Sequence, residues 1–140
     1  MSSITVLVVD DDIGDVKAVK RAFAKNKRID AIHYAVDGIE ALQLLRGQNT
    51  KEKLIPPYIL LVDINMPRMN GIELIKELRK DKELHRTIVF MLTTSKREED
   101  KIASYDLNVA GYIVKEKAGE DFLNLTALIH YYELIVELPS

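Results

Sequence analysis

Five short apolar runs alternate with stretches of helical period along this chain: "ITVLVV" (4–9), "AIHYAV" (31–36), "YILLV" (58–62), "TIVFML" (87–92) and "GYIV" (111–114). Near-continuous apolar runs of this length predict strands covered on both faces. Their alternation with helices predicts βα units around a parallel sheet. After the first run, Val16, Val19 and Phe23 recur at helical spacing while lysines and arginines fall on the other side. After the second, Asp37 followed by Glu40 makes a capping-box variant, with Ile39, Leu42 and Leu45 as the expected buried stripe. After the third, "MPRMNG" is a turn cluster leading into a helix that turns Ile72, Ile75 and Leu78 to the core and gathers basic residues at its end.

A fourth helix is expected to start across 95–97, where "SKREED" offers a serine cap and early acids, and a fifth to run across about 119–138. The segment "RGQNTKEKLIPP" reads as an exposed loop. The pattern predicts an α/β fold of the flavodoxin-like type, a (βα)5 doubly wound parallel sheet of strand order 2-1-3-4-5. It is read as one domain over 1–140 with an extended C-terminal helix.

Composition narrows the partners. The 140 residues carry 20 basic and 22 acidic side chains mixed along the chain, for a net charge of −2, so no basic stripe points to direct nucleic-acid binding. The apolar runs are far shorter than the ~20 residues a bilayer span needs, and the N-terminus lacks a cleavable apolar leader, so no membrane contact and a cytoplasmic location are expected. The absence of cysteine excludes thiolate chemistry and disulfides. His33, His85 and His130 have no ligand spacing and read as surface or half-buried residues.

The chemistry begins where the first strand runs into three adjacent carboxylates, Asp10, Asp11 and Asp12. Aspartate is common in solvated turns and as a helix cap, and Asp12 fits that reading as the cap of the first helix. In an open α/β sheet, however, ligands bind outside the carboxyl ends of the strands where strand order reverses, here between the first and third. The third strand ends at Asp63, which belongs beside Asp10 and Asp11. Thr93 at the end of the fourth strand and Lys115 at the end of the fifth should flank them. Two carboxylates ~4–5 Å apart repel by roughly 4 kcal/mol at an effective dielectric near 20, so such a cluster calls for a cation. Hard oxygen ligands suit Mg²⁺, and an aspartate beside it is placed to attack phosphorus.

In this order, "VVDDD", "LLVDINMPRMNG", "MLTTS" and "GYIVK" resemble the receiver domain of two-component response regulators over about residues 4–130. Each motif alone is weak; four at the ends of four strands are specific. The resemblance implies that Asp11 ligates Mg²⁺ directly and Asp10 through water, that Asn65 adds its backbone carbonyl, and that Asp63 accepts a phosphoryl group from a histidine kinase. It implies phosphate-binding roles for Thr93 and Lys115 and an aromatic switch at Tyr112, which by itself also reads as a half-buried strand residue. Receivers usually place a proline after the lysine, where this chain has Glu116. A cis bond before a non-proline costs ~3–4 kcal/mol, so a trans Lys115–Glu116 bond and a mobile loop over 116–119 are expected.

"TTS", "SYDLNVAGYIVK" and "ELIVELP" are most similar to stand-alone receivers serving phytochrome-type kinases. Such a protein is a phosphoacceptor with self-catalysed phosphorylation and dephosphorylation rather than a separate enzyme. It signals by protein contact or by transfer to a histidine phosphotransfer protein. Three alternatives compete. A haloacid-dehalogenase-type phosphotransferase would share D-x-D at Asp10 and Asp12 but continue with Gly-Thr, where "IGD" stands here. A flavodoxin-like cofactor binder would want a glycine- or hydroxyl-rich phosphate loop in place of the acids. A phosphorylation-independent pseudo-receiver would not need the intact acidic set.

The last helix carries two apolar stripes. Leu125, Leu128, Ile129, Tyr132 and Val136 are expected to cover the sheet; Tyr131, Leu134, Ile135 and Leu138 would then face water and are expected to form a homodimer or partner surface.

Overall fold

The computed structural model describes residues 4–24 and 29–139. In chain order it contains β1 (Ile4–Val9), α1 (Ile13–Phe23), β2 (Ile29–Ala35), α2 (Gly38–Arg46), β3 (Tyr58–Val62), α3 (Gly71–Lys80), β4 (Ile88–Thr93), α4 (Glu98–Asp106), β5 (Gly111–Val114) and α5 (Leu123–Ile135). The strands pair in parallel in the order β2-β1-β3-β4-β5, the topology expected from the apolar runs.

Side-chain alternation along each strand sorts the core into two layers. Val6, Val8, Ile59, Leu61, Phe90 and Leu92 pack with Val16, Val19 and Phe23 of α1 and Leu125 and Ile129 of α5. Leu7, Val9, Leu60, Val62, Val89 and Met91 pack with α2 and α3 on the other face. Helices α1, α2 and α3 begin where their caps dictate. Asp12 accepts from the Asp15 N–H, Asp37 accepts from the Glu40 N–H, and Asn70 with Glu73 forms a reciprocal capping box.

Several expectations are corrected. In α2 and α3 the buried faces include Ala41 and Leu74, while Ile39 and Ile72 are only half-buried, because the face centred on the core is a residue or two displaced from the assumed stripe. α4 is capped at Arg97 without a side-chain bond and buries only Ser104, so little apolar packing fixes where it starts. Within the expected exposed loop, Leu54 is buried, its N–H bonded to the Leu44 carbonyl, and the Pro56–Pro57 bond is cis. The Lys115–Glu116 bond is trans, as expected. It opens a 3-10 turn over Lys115–Lys117; a second turn, Glu120–Phe122, follows Gly119 at φ 91°, so α5 starts at Leu123 rather than at Gly119.

The two stripes of α5 also sort differently. Leu125 and Ile129 are buried, and Tyr132 packs edge-on against Phe90 with ring centroids 5.2 Å apart. Leu128 and Val136 are exposed instead of covering the sheet, because the buried face follows i, i+4 and i+7 and leaves Leu128 to one side. The helix stops at Ile135, and Val136 is already extended (φ −94°, ψ 133°). That extension turns Leu138 inward onto the α1/α5 core, so Leu138 does not belong to the exposed stripe. Tyr131, Leu134 and Ile135 do face water.

Candidate functional site

Sheet register builds the site. Val9 lies beside Val62, so the next residues, Asp10 and Asp63, leave adjacent strands together, and the Asp63 N–H donates to the Val9 carbonyl at 2.9 Å. Val62 lies beside Met91, which sets Thr93 one residue farther along than Asp63, and Thr93 lies beside Val114, which puts Lys115 next. Strand alternation then separates the group. Asp10, Asp63 and Lys115 continue the positions that face α1 and α5, whereas Thr93 and Tyr112 continue those that face α2 and α3.

Asp10, Asp11 and Asp63 each bring a carboxylate oxygen within 4.8 Å of the others, and Asp10 and Asp63 are buried while Asp11 is exposed. The chain backbone organises them. The Asp12 N–H donates to Asp10 Oδ1 at 2.9 Å, and the Ile64 N–H donates to Asp63 Oδ1 at 2.7 Å, leaving Oδ2 of each on the side of Lys115. Gly71 makes the arrangement of Asp63 possible, since a Cβ there would stand 2.2 Å from the Asp63 carbonyl oxygen. The Gly71 N–H instead donates to the Ile64 carbonyl at 2.9 Å, which draws the start of α3 tight against the end of β3. The loop between them is held from the side by Arg68, whose Nε donates to the buried Asp37 at 2.6 Å. Asn65 is exposed in that loop, directly after the acidic strand end.

Lys115 Nζ donates to Asp10 Oδ2 and to Asp15 Oδ2, both at 2.7 Å, and stands 3.6 Å from Asp63 Oδ2. Burial alone would lower the Lys115 ammonium, but the bonds to Asp10 and Asp15 outweigh it and hold the group above its ordinary range. Burial pushes the Asp10 carboxyl up to about 6, against the Lys115 and Asp12 hydrogen bonds that pull it down. A carboxylate so strained by desolvation, with two others converging on it and every candidate ligand of the three an oxygen, fits a hard divalent cation.

Thr93 is fully buried, and its Oγ1 accepts from the Ser95 N–H at 3.2 Å. Ser95 is the centre of a small network: its hydroxyl donates to Asp100 at 2.6 Å, and its carbonyl accepts from the Tyr112 hydroxyl at 3.0 Å. The backbone N–H of Tyr112, on the edge strand, is taken by the Tyr105 hydroxyl at 3.2 Å. Burial first, with Asp100 and Asp63 adding to it, raises the Tyr112 phenol above its ordinary value.

The structure thus brings Asp10, Asp11, Asp63 and Lys115 together and places Thr93 and Tyr112 in the adjoining loop network. Tyr131, Leu134 and Ile135 lie apart on α5. The sequence reading passed over Asp15. The signal was available: Asp15 lies four residues before Val19 on the face of α1 that meets the sheet, and alternation puts Lys115 on that same side.

Across residues 6–127 the chain matches the response regulator receiver domain, and it belongs to that family. Members act with histidine kinases in two-component signalling, and this chain is a receiver domain of that system. It is 31% identical over 136 residues to response regulator Rcp1 of Synechocystis sp., covering 96% of this chain and 92% of that protein. Its fold is similar to that of the phosphorylated cyanobacterial phytochrome response regulator RcpA, with a TM-score of 0.90 at 28% identity over 99% of this chain and 100% of the other. It is also similar to the Mn²⁺-bound form of Rcp1, with a TM-score of 0.84 at 32% identity over 97% and 99% of the two chains. Among the described residues no helix is long and apolar enough to cross a membrane.

Proposed function

We propose that this protein is a cytoplasmic response regulator that takes a phosphoryl group from a phytochrome-type histidine kinase onto Asp63 with Mg²⁺. The observation that carries the reading is the convergence of Asp10, Asp11 and Asp63 within 4.8 Å, with the Lys115 ammonium 3.6 Å from Asp63. Asp63 Oδ2 forms an O–P bond as the P–N bond of a phosphohistidine breaks, and the leaving imidazole nitrogen keeps the electron pair and takes up a proton. Asp10, Asp11, Asp63 and the backbone carbonyl of Asn65 would hold Mg²⁺, which would supply charge neutralisation for the carboxylates and the transferring group. Lys115 and the Thr93 hydroxyl donate to the phosphoryl oxygens. Thr93 Oγ1 accepts from the Ser95 N–H and keeps its own proton to donate, and Tyr112, tied to the Ser95 carbonyl, registers any movement of that segment toward the phosphoryl group. The same chemistry supports self-catalysed phosphorylation by small phosphodonors and self-catalysed loss of the group. The likeness to Rcp1 and RcpA supports the phytochrome-type kinase as donor.

Output runs through protein contacts, including a histidine phosphotransfer protein and a second copy of the chain. Tyr131, Leu134 and Ile135, exposed on one side of α5, support the homodimer. Intact mass after treatment with acetyl phosphate and Mg²⁺ tests the central claim. One phosphoryl group should appear, vanish in Asp63→Asn and fail to form after chelation; incorporation that persists in the variant would overturn the assignment. Sedimentation of the wild type and of Tyr131→Glu/Ile135→Glu, each with and without phosphorylation, tests the dimer, which a monomeric wild type at tens of micromolar in both states would refute.

A further inference from the structure

We infer that Asp15 is the positioning residue for Lys115, holding the ammonium in place for phosphoryl transfer when Asp10 turns to a cation; this rests on the Asp63 reading above. Lys115 has three protons to place. Two are committed at 2.7 Å to Asp10 and Asp15, and at 3.6 Å from Asp63 Oδ2 the ammonium stands too far for a direct bond. That gap is where a phosphoryl group on Asp63 projects its oxygens, so the lysine is already in place and one proton remains for it.

The two holders are not equivalent. Asp10 belongs to the carboxylate triplet that converges within 4.8 Å, whereas Asp15 stands outside that triplet, on the first turn of α1. A cation drawn in by Asp10 competes with the lysine for the same carboxylate and leaves that hydrogen bond weakened. Asp15 is then the holder that keeps its full charge for Lys115. Its own placement is firm, because its N–H is capped by Asp12 Oδ1 at 3.1 Å and the next residue, Val16, is buried in the core. The lysine's backbone gives less direction of its own, since Lys115 opens a 3-10 turn after an edge strand whose side chains are all only half-buried.

A role in positioning is distinguishable from a role in metal binding or in folding. Initial rates of phosphorylation by acetyl phosphate in saturating Mg²⁺ are read by intact mass, and Mg²⁺ affinity by titration calorimetry. Asp15→Ala should slow phosphorylation about tenfold, the order expected for losing a hydrogen bond to a charged group, with Mg²⁺ affinity within about twofold of wild type. Asp15→Glu should recover part of the rate. In a Lys115→Ala background, removing Asp15 should change the residual rate less than about twofold. In Mg²⁺-bound protein, where Asp10 is drawn to the ion, the Lys115 ammonium signal in nitrogen-edited NMR should be sharp in the wild type and lost to exchange in Asp15→Ala. An equal loss of Mg²⁺ affinity and rate would overturn the proposal, as would additive effects of Asp15→Ala and Lys115→Ala or an unchanged ammonium signal. Phosphorylation that survives in Asp63→Asn would instead overturn the phosphoacceptor reading, so the two failures are separate.

Discussion

The molecule holds a half-buried cation at each end of its sheet, and the two are held in opposite ways. At the carboxyl ends of the strands, Lys115 is gripped by the carboxylates of Asp10 and Asp15. At the amino ends of β4 and β5, Arg79 donates to four backbone carbonyls, those of Leu107 and His85 at 2.7 Å, Thr87 at 2.9 Å and Asn108 at 3.1 Å. Carboxylates can be protonated, can turn to a metal ion or can accept a phosphoryl group, so the Lys115 end is open to competition. Main-chain carbonyls already fixed by the segments before β4 and β5 offer no such alternative. Burial pushes the Arg79 guanidinium below its ordinary value, whereas at Lys115 the carboxylates reverse the effect of burial. One end is built to be rewired and the other to stay put.

The strongest way to break this contrast is at Arg79. Arg79→Met leaves four carbonyls to find water or other donors, and hydrogen bonds from a charged group contribute enough that a stability loss of about 3 kcal/mol is expected in urea unfolding. Mg²⁺ affinity of the folded variant should be unchanged. A folded Arg79→Met protein that no longer binds Mg²⁺ would show that the two ends are not independent. Next in size is Gly71→Ala, where the added Cβ would meet the Asp63 carbonyl oxygen at 2.2 Å. Relief requires α3 or the strand end to shift. A loss of about 2 kcal/mol is expected from such overpacking, accompanied by weaker Mg²⁺ binding because Asp63 itself is displaced. Unchanged stability and binding in that variant would mean that the close approach of α3 does not set the position of Asp63.

The acidic end was largely readable from the sequence because strand order and strand ends are recorded in one dimension. A run of apolar β-formers that stops at Asp10 or at Asp63 states both where the strand ends and what stands there, and parallel order brings those ends together. Asp15 was harder, since it sits in a helix and meets Lys115 from 100 residues away. The Arg79 end was invisible for a related reason: its partners are main-chain carbonyls, and no residue type marks them. The last turn of α5 misled because helical spacing was carried past the true end of the helix. Once Val136 is extended, Leu138 reaches the core by a path that a 3.6-residue repeat does not describe. The burial of Leu54 leaves no mark in the sequence, because a single apolar residue between polar ones carries no period.

A smaller effect of opposite sign is expected from Asp10→Asn in metal-free protein. Burial raises the Asp10 carboxyl from 3.8 to about 6, so the folded chain binds its proton more tightly than the unfolded chain does. The ionised form is therefore destabilising. The cost is absent below the unfolded value, grows between about pH 4 and pH 6, and is fully present above that. Removing the charge should stabilise the metal-free protein at pH 7 by about 1–2 kcal/mol, less than the whole shift implies at 1.36 kcal/mol per unit because an amide is an imperfect copy of the protonated carboxyl; the weakened bond to Lys115 is already contained in the shift. It should also flatten the fall in stability between pH 4 and 6. A variant less stable than wild type at pH 7 without metal would mean that the Lys115–Asp10 bond outweighs the desolvation of Asp10.

The last expectation sharpens the contrast by titrating one end and leaving the other alone. A proton and a divalent cation compete for the Asp10 carboxylate, and the proton is held up to about pH 6. Mg²⁺ affinity should therefore rise about tenfold per unit as pH increases toward 6 and level off above it, since one proton is displaced from Asp10 for each ion bound. Calorimetry in buffers of different ionisation enthalpy would count that proton directly, with close to one released at pH 5 and close to none at pH 8. Asp10→Asn removes the competing group and should leave only a weak, nearly pH-independent affinity. The Arg79 end supplies the control, because its carbonyl partners do not titrate: the stability lost in Arg79→Met should be the same at pH 5.5 and pH 8. Affinity that stays level down to pH 5 in the wild type would place the ion on Asp11 and Asp63 without Asp10. The strain of burying Asp10 would then serve Lys115 alone, and the acidic end would be less open to competition than its geometry implies.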